Sequence, residues 1–101
     1  MDYRITWSPE AAEDLETIAE YIERDSPFYA QAVVVKILAA LQDIKQFPYT
    51  GRIVPETGNE NIREKFVYSY RLVYQIIDGK ILVIAIIHGK RLLENIEDRI
   101  K

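Results

Sequence analysis

The sequence predicts an α+β fold: an N-terminal strand, an antiparallel two-helix hairpin packed on a four-stranded, mainly antiparallel sheet, and a short C-terminal helix or tail. Three observations carry this prediction. Ser8-Pro9 and Ser26-Pro27 each open a segment whose apolar residues recur at helical spacing. Asp78-Gly79 joins two runs of β-branched and aromatic residues, a strong two-residue hairpin signal. At 101 residues and 49% hydrophobic, the chain has material for one modest core, so a single domain over residues 1–101 is expected.

Tyr3, Ile5 and Trp7 alternate with Arg4 and Thr6, which reads as the first strand. Ser8 then caps a helix, Pro9 suits its first position, and Glu10, Glu13 and Asp14 complement the positive end of its dipole. Ala11, Leu15, Ile18, Ala19 and Ile22 form one stripe; Glu13, Glu16, Glu20 and Glu23 fall on the other side. Asp25-Ser26-Pro27 ends this helix and starts a second, which runs to about Gln46. Its stripe is Ala30, Val33, Val34, Ile37, Leu38, Leu41 and Ile44. The run Val33-Val34-Val35 favours a strand locally, but the 3.6-residue period of the whole segment outweighs it. The short link makes the pair an antiparallel hairpin. Phe47-Pro48 stops the second helix. Residues 47–61, dense in Pro, Gly and Asn, form one long loop, a common place for function.

Three strands follow, at about 62–68, 70–77 and 80–87. A type I′ turn at Asp78-Gly79 sets Ile77 opposite Lys80, Gln75 opposite Leu82, Val73 opposite Ile84 and Arg71 opposite Ile86. One face then carries Tyr70, Leu72, Tyr74 and Ile76 with Ile81, Val83, Ala85 and Ile87. It has no charge and is expected to pack on the helices. The other face carries Arg71, Val73, Gln75, Leu82, Ile84, Ile86 and His88. Arg71 and His88 therefore share a face near one end, with Arg91 just past Gly89, and the three make one candidate anion site. A charge inside an apolar strand is costly unless something pairs with it or binds it. Arg71 either holds an anion or is paired with Glu56, Glu64 or Glu94.

The net charge is −3, unevenly spread. Residues 1–50 hold 9 acidic and 4 basic side chains, and residues 51–101 hold 7 acidic and 9 basic. An acidic total argues against a protein held on nucleic acid by nonspecific charge alone. With no cysteine and one histidine, neither a disulfide framework nor a metal site is expected, and no cofactor motif is present. No apolar run reaches the ~18 residues of a membrane span, and the first residues lack a signal-peptide core, so a cytoplasmic protein off the membrane is expected.

Four motifs in order carry a resemblance: Ser8-Pro9-Glu10-Ala11-Ala12-Glu13-Asp14-Leu15, Phe47-Pro48-Tyr49-Thr50-Gly51-Arg52, Tyr70-Arg71-Leu72-Val73-Tyr74, and His88-Gly89-Lys90-Arg91. With them the chain resembles the RelE/ParE superfamily of type II toxin–antitoxin toxins, which includes plasmid-stabilisation proteins, and the likeness covers nearly the whole chain. The resemblance implies a growth-arresting toxin neutralised by a cognate antitoxin, whose apolar and acidic tail covers exposed toxin surface. It also implies one of two targets. RelE-like members cleave mRNA in the ribosomal A site; ParE-like members inhibit DNA gyrase. Arg71 and Arg91 look like the phosphate-binding arginines of the RelE branch, and Arg63 and Lys65 lie near its catalytic lysines. Where that branch has a functional tyrosine, this chain has Glu97. Trp7-Ser8-Pro9, Gly51-Arg52 and His88 look more like the ParE branch.

RNA cleavage through the 2′-OH needs a base, an acid and cations for the charge on phosphorus. Arg71 and Arg91 would clamp the phosphate bidentately, with Lys65 or His88 as base. Against this, a lone histidine at a strand end is commonly a packed, hydrogen-bonded residue. The reading favoured by the sequence is ParE-like inhibition of gyrase. The alternative is a ribosome-dependent mRNA endoribonuclease using Arg71, Arg91, Arg63 and Lys65, with His88 or Glu97 replacing the tyrosine. The third is a toxin fold without toxicity.

Overall fold

A computed structural model describes residues 2–89 and 96–100. The elements are β1 (Arg4–Trp7), α1 (Pro9–Glu23), α2 (Pro27–Gln46), a single 3₁₀ turn (Pro48–Thr50), β2 (Arg52–Ile53), β3 (Ile62–Val67), β4 (Tyr70–Ile77), β5 (Lys80–His88) and α3 (Ile96–Arg99).

Both helices start as the Ser-Pro signals require. Ser8 Oγ accepts from the Ala11 N–H at 3.1 Å, and Ser26 Oγ accepts from the Tyr29 N–H at 3.1 Å. Each hydroxyl satisfies one of the N–H groups that a helix start leaves without a partner. Arg24–Ser26 link the two helices into the expected hairpin.

The sheet has the order β1-β5-β4-β3-β2. β1 runs parallel to β5, and the other neighbours are antiparallel. Five strands stand where four were expected. Arg52–Ile53 is a two-residue strand inside the long loop, paired with Glu64 and Arg63. Strands this short carry no readable alternation.

The helices cover one face of the sheet. Ala11, Ile22, Val33, Ile37, Leu41 and Ile44 pack there against Leu72, Tyr74, Ile76, Ile81, Val83 and Ile86. A second, smaller core lies behind the sheet, built from Val54, Ile62, Val73, Ile84, Ala85 and Ile96.

The β4–β5 hairpin follows the expected register only for its first half. Ile77 faces Lys80, and Gln75 faces Leu82. Tyr74 still faces Val83, but Val73 faces Ala85 instead of Ile84, leaving Ile84 as an extra residue in a β-bulge. One inserted residue exchanges the two faces for all that follows. Ile86, not Ala85 or Ile87, therefore joins the helix-side core. Arg71 faces Ile87 instead of Ile86, and His88 faces Tyr70. The expectation that Arg71 and His88 share a face is thus corrected: they lie on opposite sides of the sheet.

The bulge sits where β1 ends. β1 pairs with β5 only through Val83, so the outer edge of β5 beyond that point lacks a strand. Two side chains serve it instead. Asp14 of α1 accepts from the Ile86 N–H at 3.1 Å, and Arg99 of α3 donates to the Ile84 C=O at 3.0 Å. Arg99 and Asp14 also meet directly at 2.7 Å. Buried main-chain groups need such partners, and here they come from the two helices that flank the edge.

Candidate functional site

Arg71 projects from β4 to the face away from the helices, among Glu64, Glu56 and Arg52. Its register places it across from Phe66, two positions from Glu64. The guanidinium Nε donates to Glu64 Oε1 at 2.6 Å. Its two terminal nitrogens, Nη1 and Nη2, each donate at 2.9 Å to one oxygen of Glu56, a bidentate fork. Glu64 turns its other oxygen to Arg52 Nε at 2.5 Å. Two arginines thus meet two carboxylates, and the formal charges cancel.

Burial makes the inner pair strict. The Glu64 side chain is 0% exposed and that of Arg71 6%, against 34% for Glu56 and 59% for Arg52. A buried charge is tolerated only with its counter-charge and hydrogen bonds in place. The hydrogen bond from Arg71 holds the Glu56 carboxyl below its ordinary range. The same bond raises Arg71 above its own ordinary value, followed by a smaller contribution from Glu64. The Arg52 guanidinium lies 5.4 Å from the Phe66 ring centroid, a cation–π contact at the surface.

The loop that carries Glu56 is itself held in place. Tyr74 Oη donates to the Pro48 C=O at 2.5 Å and accepts from the Gly51 N–H at 3.2 Å. Burial pushes the Tyr74 hydroxyl up. Gly51 passes so close that a Cβ would lie 2.5 Å from Tyr74 Oη and 2.7 Å from the Glu64 carbonyl oxygen. Only glycine allows that approach.

The other expected site residues are elsewhere. Arg63 is on the helix side of β3, where it donates to the carbonyls of Glu60 (2.8 Å), Gly51 (3.1 Å) and Tyr49 (3.3 Å). Its guanidinium also lies 5.0 Å from the Tyr49 ring centroid. It is a staple for the loop. Lys65 faces α2, with Nζ 3.9 Å from Asp43 Oδ2. His88 closes β5 on the helix side, edge-on to Tyr70 with centroids 5.8 Å apart. It lines a cavity of about 520 Å3 with Glu10, Glu13, Asp14, Tyr21 and Arg99. Arg91, Glu94 and the Glu97 side chain lie outside the described residues.

Arg71 is therefore not assembled with Arg63, Lys65 and His88 into one centre. Its paired reading, with Glu56 and Glu64 as the partners, is the one the geometry gives. Among the described residues, no group of three or more His, Asp or Glu could hold a metal ion. Sequence reasoning missed the share of Arg52 in the network and the edge-capping pair Asp14–Arg99. Neither has a local signal, because both depend on contacts between distant segments.

Similarity to known proteins agrees with this fold. Over 89 residues the chain is 29% identical to a Caulobacter vibrioides protein described as Toxin RelE2, covering 88% of this chain and 98% of that one. A chromosomal ParDE toxin–antitoxin structure from P. aeruginosa superposes with a TM-score of 0.71 at 19% identity, over 87% of this chain and 97% of that one. The RelBE2 toxin–antitoxin complex of Mycobacterium tuberculosis gives 0.60 at 21% identity, over 87% and 99%. The YoeB dimer of Staphylococcus aureus gives 0.61 at 22% identity, over 87% and 98%. These structures share the fold. Residues 5–93 match the family described as the ParE toxin of the type II toxin–antitoxin system parDE, and the chain belongs to that family.

Proposed function

We propose that this toxin arrests growth without catalysis, by binding DNA gyrase in the bacterial cytoplasm, and that a cognate antitoxin neutralises it. The observation that carries the reading is the state of Arg71. Every nitrogen of its guanidinium is engaged by Glu64 or Glu56, so the fork that would clamp a scissile phosphate is filled from within. A nuclease needs its cations free to meet charge on the transferring phosphorus. Lys65 and His88 stand on the other side of the sheet from Arg71, so the three do not converge on one phosphate. The antitoxin reading draws support from the family and from toxin–antitoxin complexes that share the fold.

The test is induction of the chain alone in bacteria. Growth is expected to stop, with plasmid supercoiling relaxed and mRNA 5′ ends unchanged. Co-expression of the small protein encoded beside this gene is expected to restore growth. Cleavage of mRNA at the ribosomal A site, lost with Arg71→Ala, would overturn the reading in favour of the nuclease. Unchanged growth would leave a toxin fold without toxicity.

A further inference from the structure

Strand β2 pairs with β3 only at Arg63 and Glu64, so from Lys65 onward the outer side of β3 has no paired strand. There a cleft of about 220 Å3 opens between α2 and β3. Lys36, Ala39, Ala40 and Asp43 line it from α2, and Lys65 and Tyr68 are among those that line it opposite.

Small side chains at Ala39 and Ala40 leave the space, and two lysines charge it. Lys65 Nζ comes no nearer to Asp43 Oδ2 than 3.9 Å, too far for a hydrogen bond. Lys36 is exposed and forms no ion pair among the described residues. The lining thus sets two ammonium groups against one carboxylate. The main chain adds a donor. The Val54 N–H donates to the Ile62 C=O at 3.0 Å, so alternation turns the main-chain groups of Ile62, Glu64 and Phe66 toward the β2 side. β2 stops short of Phe66, and the Phe66 N–H has no acceptor among the described residues.

Tyr68 also lines the cleft, and its backbone is strained. It opens the two-residue turn between β3 and β4, with φ 53°. That left-handed conformation is unfavourable for so large a side chain, and such turns ordinarily take Gly, Asn or Asp. Asp78-Gly79 obeys that preference in the next hairpin. The strain returns little packing within the chain. Tyr68 is 53% exposed, and its ring meets Tyr29 with centroids 5.9 Å apart. A strained backbone that holds a large aromatic side chain in solvent points to recognition.

The lining selects the ligand. Ammonium groups and a main-chain N–H take an oxyanion, and an aromatic face takes a planar ring. A nucleoside phosphate carries both, joined through one sugar. A long nucleic-acid strand needs a track of cations, whereas this chain is acidic, at −3 overall. We infer that the cleft binds a free nucleotide, with the base on Tyr68 and the phosphate at Lys36, Lys65 and the Phe66 N–H. The site is independent of the gyrase reading and stands or falls without it.

The test is a titration of the full-length, 15N-labelled chain with AMP, followed by NMR. Shifts are expected to centre on residues 36–40 and 65–69. Ribose 5-phosphate is expected to bind about fivefold or more weakly than AMP, the share of one stacked base. Tyr68→Gly should show the same loss of AMP affinity and melt no lower than the parent, because glycine adopts φ 53° without strain. Lys36→Gln is expected to lose about tenfold, as the loss of a charged hydrogen bond does. Asp43→Asn, at a side chain 72% exposed, removes the opposing charge and should tighten AMP binding. Amide spectra verify that each variant is folded. No shifts at millimolar AMP, or shifts centred elsewhere, overturn the site. Ribose 5-phosphate binding as well as AMP, or a lower melting point for Tyr68→Gly, assigns Tyr68 to the fold and overturns the nucleotide. An oligothymidylate that binds more than about tenfold tighter than TMP overturns the free nucleotide in favour of a single strand.

Discussion

Asp14 and Arg99 lie 85 positions apart in the chain and meet at 2.7 Å on the open edge of β5. Together they hold the Ile86 N–H and the Ile84 C=O, two main-chain groups that β1 is too short to reach. The pair ties α1 and α3 to the β-bulge at Ile84.

Removal of the acidic member should expose that dependence. Asp14→Ala leaves the Ile86 N–H and the Arg99 guanidinium without their shared acceptor. A loss of about 1–3 kcal/mol is expected, the usual cost of leaving a partly buried donor unpaired. Asp14→Asn keeps an acceptor for the amide and should lose less. Urea unfolding of the three proteins measures the order.

The Arg71–Glu64 pair should behave as a buried ion pair. Arg71→Leu leaves Glu64 fully buried with only Arg52, and about 3 kcal/mol of stability is expected to go. The double variant Arg71→Leu/Glu64→Leu removes both charges and should be more stable than the single variant. A double variant as unstable as the sum of two singles would show that the pair is not coupled.

Acid should weaken the outer half of the same network. Arg71 depresses the Glu56 carboxyl below its ordinary value of 4.5. Its contribution is therefore fully present above pH 4.5 and is lost as pH falls through the lower value in the folded chain. Glu56→Gln should flatten that part of the stability curve. Thermal melts of both proteins between neutral and strongly acidic pH provide the comparison.

Gly51 should resist any side chain. A methyl group there would lie 2.5 Å from Tyr74 Oη and 2.7 Å from the Glu64 carbonyl oxygen. The second neighbour is backbone and cannot swing aside. Gly51→Ala is expected to cost about 1–3 kcal/mol, as overpacking does, and Tyr74→Phe should not rescue it. Equal melting temperatures for Gly51→Ala and the parent would refute the steric account.

Much of the fold was legible because its signals are local. Ser8 and Ser26 cap their helices within three residues. Asp78-Gly79 fixes the hairpin as far as Tyr74 opposite Val83. The reading fails at Ile84 because what holds the bulge is remote: Asp14 is 72 positions from Ile86, and Arg99 is 15 from Ile84. The site followed the same division. That Arg71 needs a counter-charge followed from its apolar strand, and Glu56 and Glu64 were among three carboxylates in view. Arg52 was not, because its two-residue strand has no period to read. His88 was assigned to the wrong side by the same displaced register that moved Ile86.

The extra residue at Ile84 also sets which chemistry this sheet can assemble. Parity, not side-chain identity, keeps the histidine and the buried arginine apart. A chain shortened by one residue in β5, with every functional side chain retained, would return His88 to the side of Arg71. In this architecture a change of strand length by a single position moves a titratable group through the sheet, which no point substitution does.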